Sequence, residues 1–459
     1  MAEIPDFLCE FMRNRFWSLL EKLLHPSVRS YRGKMRENPA IFVIGCTGTG
    51  KSDLGVAIAK QLNGEVISAD SMQFYKGLDI ATNKITPEEA EAIPHHMMNF
   101  LDPSTSSYNV HLFRKSCLEI IEEMRQKGRV PVIVGGTTYY LESLLFDDNI
   151  IPTGSHYDGK SEKMFRDELE ELSNDELYEY LKKVDPDWAQ HVHPNNRLRV
   201  LRAIEIYLSS GKRKSEFLAE QGAGGKQIGG KLRWTNSLVL FLDADTNVLE
   251  QRLDKRVEKM IAAGLKDEVH GIYEKYSEHL QSEEYGVMQC IGLKEFMPYL
   301  KLSSEERTSD EGSKRFEQGC ELMKLRTRQY SRKQRHWFDN RLAVKRRPDA
   351  QVPIVRKLDT SDKNTFISEG LNIVKQWMQG DEYTEVKGVT DDVQGSDGSL
   401  MHYCEICDRR ISGRKSWESH VNGKNHKYLR SQKKRMEEEK LRKERESQQK
   451  EEDKEAVAN

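Results

Sequence analysis

Residues 41–52, which decide the fold of this chain, read IFVIGCTGTGKS. The run Ile41–Ile44 predicts a buried strand, and the glycine-rich stretch after it matches the pattern G-x-x-x-x-G-K-[ST] between a strand and a helix. In this pattern the glycines let backbone N–H groups face phosphate oxygens, while the helix N-terminus and the lysine add positive charge. We predict a loop that binds phosphates, formed by Gly45, Cys46, Thr47, Gly48, Thr49, Gly50, Lys51 and Ser52. Ser52 is the predicted ligand of Mg²⁺, and the pattern leaves open whether the phosphates belong to a nucleotide.

The sequence around this loop alternates short β-branched runs with helical stretches. Strands are predicted at 41–44, 65–68, 130–134 and 238–242. This alternation indicates an α/β fold, with a P-loop core built on a parallel sheet and crossover helices. Between about 162 and 217 the apolar residues recur at helical spacing instead, and a glycine-rich stretch follows. That change of period predicts an inserted helical domain.

Composition and pattern divide the chain into seven segments. These are an N-terminal extension (1–39), the first part of the P-loop core (40–150), a helical insertion (151–231), the second part of the core with a basic segment (232–347), a linker (348–400), a zinc finger (401–430) and a charged tail (431–459). The linker is predicted because the sequence around 380–400 is polar and rich in Gly and Asp.

Composition excludes several classes of protein. The chain has 459 residues, with 72 Lys and Arg against 74 Asp and Glu, so its formal charge of −2 gives no global indication of a nucleic-acid partner. A mean hydropathy of −0.74, without an apolar run near the roughly 20 residues that a bilayer requires, excludes a membrane-spanning protein. The seven cysteines lack the regular framework of a secreted disulfide fold, which indicates a reducing compartment.

The N-terminal segment leaves two interpretations open. Five arginines stand around apolar stretches within residues 1–36, as in a mitochondrial presequence, whereas four acidic residues argue against one. The alternative is a disordered or docking helix. We expect a cytoplasmic protein that is also mitochondrial if this segment acts as a presequence, and we expect a monomer.

Two acidic residues follow predicted strands. Asp70 comes after the strand at 65–68, and Asp243 after the strand at 238–242. In an open α/β sheet, side chains just beyond the carboxyl ends of the strands face the ligand crevice. Asp70 is therefore expected near the phosphate loop as a general base, a helix cap or a group that holds the metal. Asp243 could supply the acid of an ATPase.

A basic segment lies near the end of the core. From Lys324 to Arg347, ten Lys and Arg stand against one acid, Asp339, so ten minus one leaves a local charge of about +9. Within it, residues 332–337 combine cations with an aromatic ring, which suits phosphates and stacked bases. The alternative is a solvated helix end.

Cysteine and histidine spacing near the C-terminus predicts a metal site. Cys404, Cys407, His420 and His426 follow the spacing C-x2-C-x12-H-x5-H of a tetrahedral Cys2His2 zinc site. The long histidine spacing resembles matrin or U1-type fingers, which bind RNA more often than they read DNA. The lysines expected to contact RNA are Lys415, Lys424 and Lys427. A finger that docks a protein is the alternative.

Further blocks, taken with the phosphate loop, carry a resemblance to a known family. They run in order over about 300 residues and are Ser68–Gln73, Thr82–Lys84, His95–Met97, Phe113–Arg114, Gly135–Thr137, Arg199–Glu205, Arg252–Met260, Ile291–Glu295 and Thr327–Trp337. With these blocks the sequence resembles the tRNA dimethylallyltransferases, also called tRNA isopentenyltransferases. The C-terminal finger is similar to that of a eukaryotic member.

The resemblance implies a reaction. A dimethylallyl group would pass from dimethylallyl pyrophosphate to N6 of the adenosine on the 3′ side of the tRNA anticodon, giving N6-isopentenyladenosine and pyrophosphate. The loop would then hold pyrophosphate and Mg²⁺ without hydrolysing ATP. Asp70 is our choice of general base, because the exocyclic amine must lose a proton as the new C–N bond forms. Thr47, Lys51 and Arg256 would stabilise the charge that develops on the leaving pyrophosphate.

The same resemblance implies contacts with the tRNA anticodon stem-loop. The target base must leave its stack before it can react. The residues assigned to its pocket are Asp70, Ser71, Met72, Gln73 and Thr137. The residues assigned to the stem-loop are Leu198, Arg199, Val200, Leu201, Arg202, Gln289, Cys290, Ile291, Gly292, Leu293, Lys294, Arg332, Lys333, Gln334, Arg335 and Trp337. His95 and His96 also match the family, with packing and chemistry both open.

Two functions of other classes use the same features. An ATP-dependent kinase or ATPase acting on RNA would combine the phosphate loop with Asp243 and would turn over ATP without prenyl transfer. An RNA-binding finger protein with an inactive core would bind tRNA without product. The intact set of candidate catalytic residues argues against the second alternative.

Overall fold

The computed structural model describes residues 36–105, 108–147, 150–151, 169, 171–220, 231–278, 286–339, 353–380, 401–407, 409–412 and 414–436. The chain divides into two compact units, one drawn from Met1–Asn149 with Ile228–Thr390 and the other from Ile150–Gln227 with Asp391–Asn459. Most of the predicted N-terminal extension and the predicted tail beyond residue 436 lie outside the described residues. Among the described helices, none has the length and apolar character needed to cross a membrane.

The elements are numbered along the chain. The strands are β1 (Ala40–Gly45), β2 (Gly64–Ser68), β3 (His95–His96), β4 (Val130–Gly135), β5 (Ser237–Asp243), β6 (Ile354–Asp359), β7 (Met401–Cys404) and β8 (Arg409–Ser412). The helices are α1 (Lys51–Leu62), α2 (Val110–Gln126), α3 (Thr138–Leu145), α4 (Asn174–Val184), α5 (Pro186–Ala189), α6 (Arg197–Ser210), α7 (Lys214–Glu220), α8 (Thr246–Ala262), α9 (Leu265–Tyr276), α10 (Met297–Leu300), α11 (Ser304–Thr308), α12 (Asp310–Trp337), α13 (Phe366–Met378) and α14 (Arg414–Asn422). Short 3-10 turns lie at Gly286–Gln289 and Lys294–Phe296.

Six strands of the first unit form one parallel sheet in the order β3-β2-β4-β1-β5-β6. β1 lies between two neighbours, and Ile41 pairs with Val132 of β4 and with Leu238 of β5. The four strands predicted from the sequence are confirmed. Because paired parallel strands point the same way, the segments that follow β1, β2, β4 and β5 meet at one edge of the sheet.

Alternate residues of the central strands face two apolar layers. Ile41 and Val43 pack on one face with Leu54 of α1 and Trp377 of α13. Phe42 packs on the other face, in a cluster that includes buried residues of α2 and α3. A sheet covered on both faces needs continuously apolar strands, which explains the uninterrupted apolar run of β1.

Residues 353–380 fall within the predicted linker 348–400, and that prediction is wrong for them. They form β6, which pairs with β5, and α13, which packs its fully buried Trp377 against the sheet. The sequence does not reveal β6 because it is an edge strand that carries Arg356 and Lys357, so no apolar run marks it. The core therefore extends past the basic segment.

The segment between β2 and β3 has an unusual backbone. Among the described residues, eight residues other than glycine have positive φ, and six of these lie in this segment and the turn after β3. They are Leu78, Asn83, Glu91, Ala92, Met97 and Asn99. A left-handed backbone costs an L-residue roughly 1–2 kcal/mol, least for asparagine. Other contacts must therefore hold this segment in place.

The helical part of the second unit has its own core. α4 begins with a capping box between Ser173 and Glu176. Leu181 of α4 packs with Val200 and Leu201 of α6 in a buried apolar cluster. This arrangement confirms the predicted inserted helical domain. In the same unit, β7 and β8 pair in an antiparallel hairpin that precedes α14.

We expect Trp377→Ala to lower the free energy of unfolding by about 3–5 kcal/mol, because loss of a fully buried indole leaves a cavity. Lys375→Ala, at an exposed position of the same helix, should change it by less than about 0.5 kcal/mol. Urea unfolding followed by circular dichroism measures both. Equal stability of the two variants would contradict the placement of 353–380 in the core.

Candidate active site

The glycine-rich loop joins β1 to α1 in the conformation that its sequence predicts. Gly48 and Gly50 have φ values of 86° and 84°, a region that favours glycine, and Gly50 is the N-cap of α1. The side chains of Thr49 and Lys51 each donate to the carbonyl oxygen of Cys46, both at 2.8 Å. The loop is thereby closed on itself at the N-terminus of α1, where an anion is favoured.

Two cations stand at this loop. Arg256 of α8 donates from Nη to Thr47 Oγ1 at 2.9 Å, while its Nε is buried and has no hydrogen-bond partner among the described residues. Burial lowers the pKa of Lys51 to about 8 and that of Arg256 to about 10, and the negative charge of Asp70 opposes both shifts. Two poorly solvated cations with an unused donor suit a polyanion.

Asp70 lies between β2 and the segment that follows. Its Oδ1 accepts the N–H of Met72 at 3.1 Å, and its carbonyl oxygen accepts the N–H of Gln73 at 3.0 Å. Burial raises the pKa of this carboxyl group, against the opposing effects of the Met72 N–H, Lys51 and Arg256. Residues 71–74 form a turn, so the helix-cap alternative for Asp70 is wrong. The turn presents a carboxylate beside both cations.

The residue that would hold Mg²⁺ is Ser52, which is half-buried in the first turn of α1. One neutral oxygen suits Mg²⁺, because this ion takes most of its other ligands from phosphates and water. Among the described residues, the only group of three or more Cys, His, Asp or Glu side chains placed to hold a metal lies in the C-terminal finger.

Helix α12 lies across the ends of three strands. Gln334 Oε1 accepts the N–H of Thr47 at 2.9 Å, and its Nε2 donates to the carbonyl of Gly136 at 3.0 Å. Arg335 donates to Asp243 Oδ1 at 2.9 Å and to the carbonyl of Ala244 at 2.7 Å. These bonds anchor α12 beyond β1, β4 and β5.

Three residues assigned to tRNA also have a structural role, since they hold α12 on the core. Gln334 is 4% exposed, whereas the ion-paired Arg335 and Trp337, which packs against the core cluster of the sheet, are half-buried. The prediction of RNA contact is corrected for the side chain of Gln334 alone. Sequence spacing could not show this, because their partners lie about 90 to 290 positions away in the chain.

The basic segment is partly neutralised by acids from α8. Lys324 Nζ lies 3.5 Å from Glu258, and Arg332 Nε lies 3.2 Å from Glu250. Arg328 pairs with Asp254 between them. The three cations and the three acids each recur every four residues, so the two helices match turn by turn. The acids lie 66 to 82 positions upstream, so they were not counted in the local charge of about +9. That value therefore overstates the positive charge that RNA would meet.

Asp243 is not available as the acid of an ATPase. Its Oδ1 lies 2.7 Å from Arg335 Nη and its Oδ2 lies 3.1 Å from Lys357 Nζ. The side chain is buried at the end of β5. A carboxylate with both oxygens in ion pairs is a poor ligand for a catalytic metal.

A residue that the sequence does not single out joins the pocket around Asp70. Thr137 Oγ1 accepts the N–H of Ser71 at 3.1 Å, which links the turn after β2 to the end of β4. The hydroxyl of Tyr330, a residue that is 37% exposed, lies beside Thr137 and Gln334. No local pattern marks Tyr330, because only the path of α12 brings it here.

The insert presents part of its predicted RNA-binding stretch. Leu198 and Arg199 are exposed, whereas Val200 and Leu201 are buried in the core of the insert. The prediction of direct contact is corrected for these two buried side chains. Lys214, which lies outside the predicted stretch, has its Nζ 4.1 Å from the ring centroid of Trp188.

The charge around Lys214 favours an anion. Burial and the repulsion of Arg199 and Arg202 lower the pKa of Lys214 to about 8, and Asp185 opposes the shift. Asp185 is fully buried, with its oxygens accepting the N–H groups of Trp188 and Ser215 at 3.0 Å. Its charge is thus directed at the backbone of the insert.

The stretch 289–294 divides in the same way. Gln289 and Lys294 are exposed, and Ile291 is half-buried. Cys290 and Leu293 are buried in an apolar cluster, and Gly292, at φ 111°, packs on Met323. Contact with RNA through the side chains of Cys290 and Leu293 is corrected.

The two histidines left open in the sequence have structural partners. His96 Nε2 lies 2.7 Å from Glu65 Oε2, and His95 Nδ1 lies 2.8 Å from the carbonyl oxygen of Ile93. Both residues form the edge strand β3, paired with β2. These contacts favour the packing interpretation.

The predicted zinc ligands come together in the second unit. The ligand atoms of Cys404, Cys407, His420 and His426 all lie within 4.8 Å of one another. His426 Nδ1 is 3.5 Å from each sulfur and 3.2 Å from His420 Nε2. Two thiols and two imidazoles at such distances fit tetrahedral zinc, which confirms the predicted structural site.

Family models match three parts of the chain. Residues 73–341 match the model described as "IPP transferase", and residues 39–99 match "Isopentenyl transferase". Residues 401–427 match "Zinc-finger double-stranded RNA-binding". The first match alone covers more than half of the chain.

Curated relatives and a solved structure are similar over most of the chain. A tRNA dimethylallyltransferase of Mus musculus is 38% identical over 425 residues, 90% of each chain, and one of Homo sapiens is 36% identical over 88% of this chain and 89% of its own. A crystal structure described as a eukaryotic dimethylallyltransferase acting on tRNA is 32% identical and has a TM-score of 0.73. It covers 89% of this chain and 100% of its own. The chain belongs to the tRNA dimethylallyltransferase family.

Proposed function

We propose that this protein transfers a dimethylallyl group from dimethylallyl pyrophosphate to N6 of the adenosine on the 3′ side of the tRNA anticodon. The observation that carries the proposal is the position of Asp70 beside Lys51 and Arg256, at the loop between β1 and α1. A base and two cations at one edge match what this reaction needs. One group must take a proton while others stabilise a leaving anion.

The proton balance assigns a role to Asp70. As the bond between N6 and C1 of the dimethylallyl group forms, the bond from C1 to the pyrophosphate oxygen breaks, and one proton of N6 passes to the carboxylate. A raised pKa makes this carboxylate a better proton acceptor than an exposed aspartate. The N–H of Met72 keeps its Oδ1 oriented.

The cations act on the leaving group. Lys51 and Arg256 would bind the pyrophosphate, with the buried Nε of Arg256 as an unused donor and Thr47 held by Arg256. Charge stabilisation is strongest where water is excluded. Ser52 would hold Mg²⁺, which supplies further positive charge at the phosphates when bound.

The tRNA contacts that we propose use residues of the predicted set that are exposed or half-buried. In the first unit these are the turn Ser71–Gln73 with Thr137, then Gln289, Lys294, Arg332 and Lys333. In the second unit they are Leu198, Arg199 and Arg202, and we add Lys214, whose Nζ lies over the ring of Trp188. Exposed cations bind the phosphate backbone, and the turn beside Asp70 would receive the flipped base.

The zinc finger would add affinity for tRNA. Lys424 and Lys427 are exposed on the finger, and the family model matched there is that of a finger for double-stranded RNA. Zinc would close this small fold, which has little apolar core of its own. Phosphate contacts of this kind are independent of sequence and weaken with salt.

The alternative of an ATP-dependent kinase or ATPase is disfavoured, because both oxygens of Asp243 are in ion pairs. The cytoplasmic location, the additional mitochondrial location and the monomeric state also belong to this proposal. Residues 1–35, on which the mitochondrial location mainly rests, lie outside the described residues.

Asp70→Asn should lower the single-turnover rate by about 10²- to 10⁴-fold, because asparagine accepts a hydrogen bond but takes up no proton. Affinity for tRNA should change little, since the base acts only in the transition state. The measurement is prenyl transfer to tRNA at saturating donor over a range of Mg²⁺ concentrations. A rate within about threefold of the unmodified protein would reject Asp70 as the base, and recovery with added Mg²⁺ would assign it to the metal.

Arg256→Ala should lower kcat by roughly 10²-fold or more, because it removes a donor to the charge that develops on pyrophosphate. Lys255→Ala is the matched control, since Lys255 is the exposed neighbour on the same helix. Steady-state kinetics with varied dimethylallyl pyrophosphate test the difference. If Arg256→Ala kept the kcat and the donor KM of the control, the role of Arg256 would be withdrawn.

Cys407→Ser should raise the KM for tRNA while kcat at saturating tRNA stays within about twofold, because the finger would supply only salt-dependent phosphate contacts. The difference in KM between the variant and the unmodified protein should shrink as salt rises, since salt also weakens the phosphate contacts of an intact finger. The same kinetics at two salt concentrations, with zinc content measured by atomic absorption, test this. A folded protein without turnover at saturating tRNA would show that the finger takes part in the chemical step.

A further inference from the structure

Lys84 is a buried cation for which the proposed reaction has no use. It is 7% exposed and lies in the segment between β2 and β3. Its Nζ is surrounded by four oxygens, namely the carbonyl oxygens of Tyr75 and Gly77 at 2.6 Å, Asn99 Oδ1 at 2.6 Å and Asp79 Oδ1 at 2.8 Å. Three N–H donors thus meet four acceptors, which is the condition for burying an ammonium group.

The oxygens of this cage come from the two ends of the segment. Tyr75 lies just after the turn of Asp70, and Asn99 lies beyond β3, so the ammonium group joins positions 24 apart in sequence. Between them the backbone is left-handed at Leu78 and Asn83. Such conformations persist only where surrounding contacts over-determine them. The cage supplies contacts of that kind.

Glu268 of α9 supports the same segment from outside. Its two carboxylate oxygens accept the N–H groups of Ile80 and Ala81, each at 2.8 Å. Burial raises the pKa of Glu268, and the two N–H groups oppose the shift. The segment is thus held by a cation inside it and a carboxylate beside it.

A short chain of hydrogen bonds connects the cage to Asp70. Lys84 Nζ donates to Asn99 Oδ1, the N–H of Asn99 donates to the carbonyl of Gln73 at 3.1 Å, and the N–H of Gln73 donates to the carbonyl of Asp70 at 3.0 Å. The phosphate loop is closed by separate hydrogen bonds, since Lys51 donates to Cys46. The hydrogen bonds that hold the turn of Asp70 are thus different from those that hold the phosphate loop.

We propose that Lys84 is a positioning residue for the RNA side of the reaction. Its ammonium group holds the turn of Asp70 and Gln73 in place, so that the carboxylate meets the amine of the flipped adenosine. This inference rests on the proposed function. Different residues thus act on the two substrates. Lys84 sets the geometry of Asp70 toward RNA, and the phosphate loop with Lys51 binds dimethylallyl pyrophosphate.

Lys84→Met keeps the apolar stem and removes the ammonium group. We expect kcat/KM for tRNA to fall by about 10²-fold, as for a displacement of about 1 Å at a reacting group, while the KM for dimethylallyl pyrophosphate stays within about twofold. Lys76→Met is the matched control, because Lys76 is exposed in the same segment. If the substitution merely unfolded part of the protein, the amount of active enzyme would fall. The KM values for tRNA and for dimethylallyl pyrophosphate of the folded fraction would then both stay unchanged.

A second variant keeps the test valid if Lys84→Met does not fold. Asn99 has φ 55° and is exposed, so Asn99→Gly keeps the backbone conformation and removes one acceptor of the cage. It should show the same division with a smaller loss, about tenfold. The proposal would be overturned if both variants kept kcat/KM for tRNA within about twofold. It would also be overturned if the KM for dimethylallyl pyrophosphate rose by the same factor by which kcat/KM for tRNA fell.

Lys84→Ala leaves the oxygens of the cage in place and tests the charge itself. Ammonium ions should restore part of its activity with tRNA, whereas tetramethylammonium at the same ionic strength should not, because it has no N–H to donate. If ammonium ions restored no more activity than tetramethylammonium, the segment between β2 and β3 would not need the cation. Failure of the proposed function is a different result: the unmodified protein would then transfer no dimethylallyl group to tRNA. Equal activity of the unmodified protein and Lys84→Met would contradict only the role of Lys84.

Discussion

Helix α12 crosses the carboxyl ends of three parallel strands, and the site depends on the hydrogen bonds that hold it there. Gln334 accepts a hydrogen bond from the N–H of Thr47 and donates one to the carbonyl oxygen of Gly136. One side chain thus joins the phosphate loop to the end of β4. A Cβ atom at position 136 would lie 2.3 Å from Gln334 Nε2. A side chain at that position would therefore displace the amide group of Gln334.

The same arrangement explains the electrostatics of the site. α8 brings Arg256 to Thr47, and its acids pair with the cations of α12, so the two helices are registered against each other by charge. Lys51 and Arg256 are left poorly solvated, with pKa values lowered to about 8 and about 10. A bound polyanion would replace the water that these cations have lost, which is how electrostatic preorganisation favours a leaving pyrophosphate.

The RNA side of the reaction is organised differently. The turn of Asp70 belongs to a segment with an unfavourable backbone, and Lys84 and Glu268 hold that segment through hydrogen bonds to its backbone. The donor side uses a regular strand, loop and helix. A rigid scaffold with a strained recognition segment is common where geometry must be kept to a fraction of an ångström.

Local sequence determined the features whose partners are near in the chain. The apolar runs marked β1, β2, β4 and β5, the glycines and Lys51 marked the loop, and the spacing of two cysteines and two histidines marked the zinc ligands. The tertiary structure alone decided which residues of a motif are exposed. It buried Val200 and Gln334 and placed Tyr330 beside Thr137. It also built a cage around Lys84 and added β6 to the sheet. The physical reason is that burial, ion pairing and edge pairing depend on contacts between residues far apart in the chain, which no local pattern records.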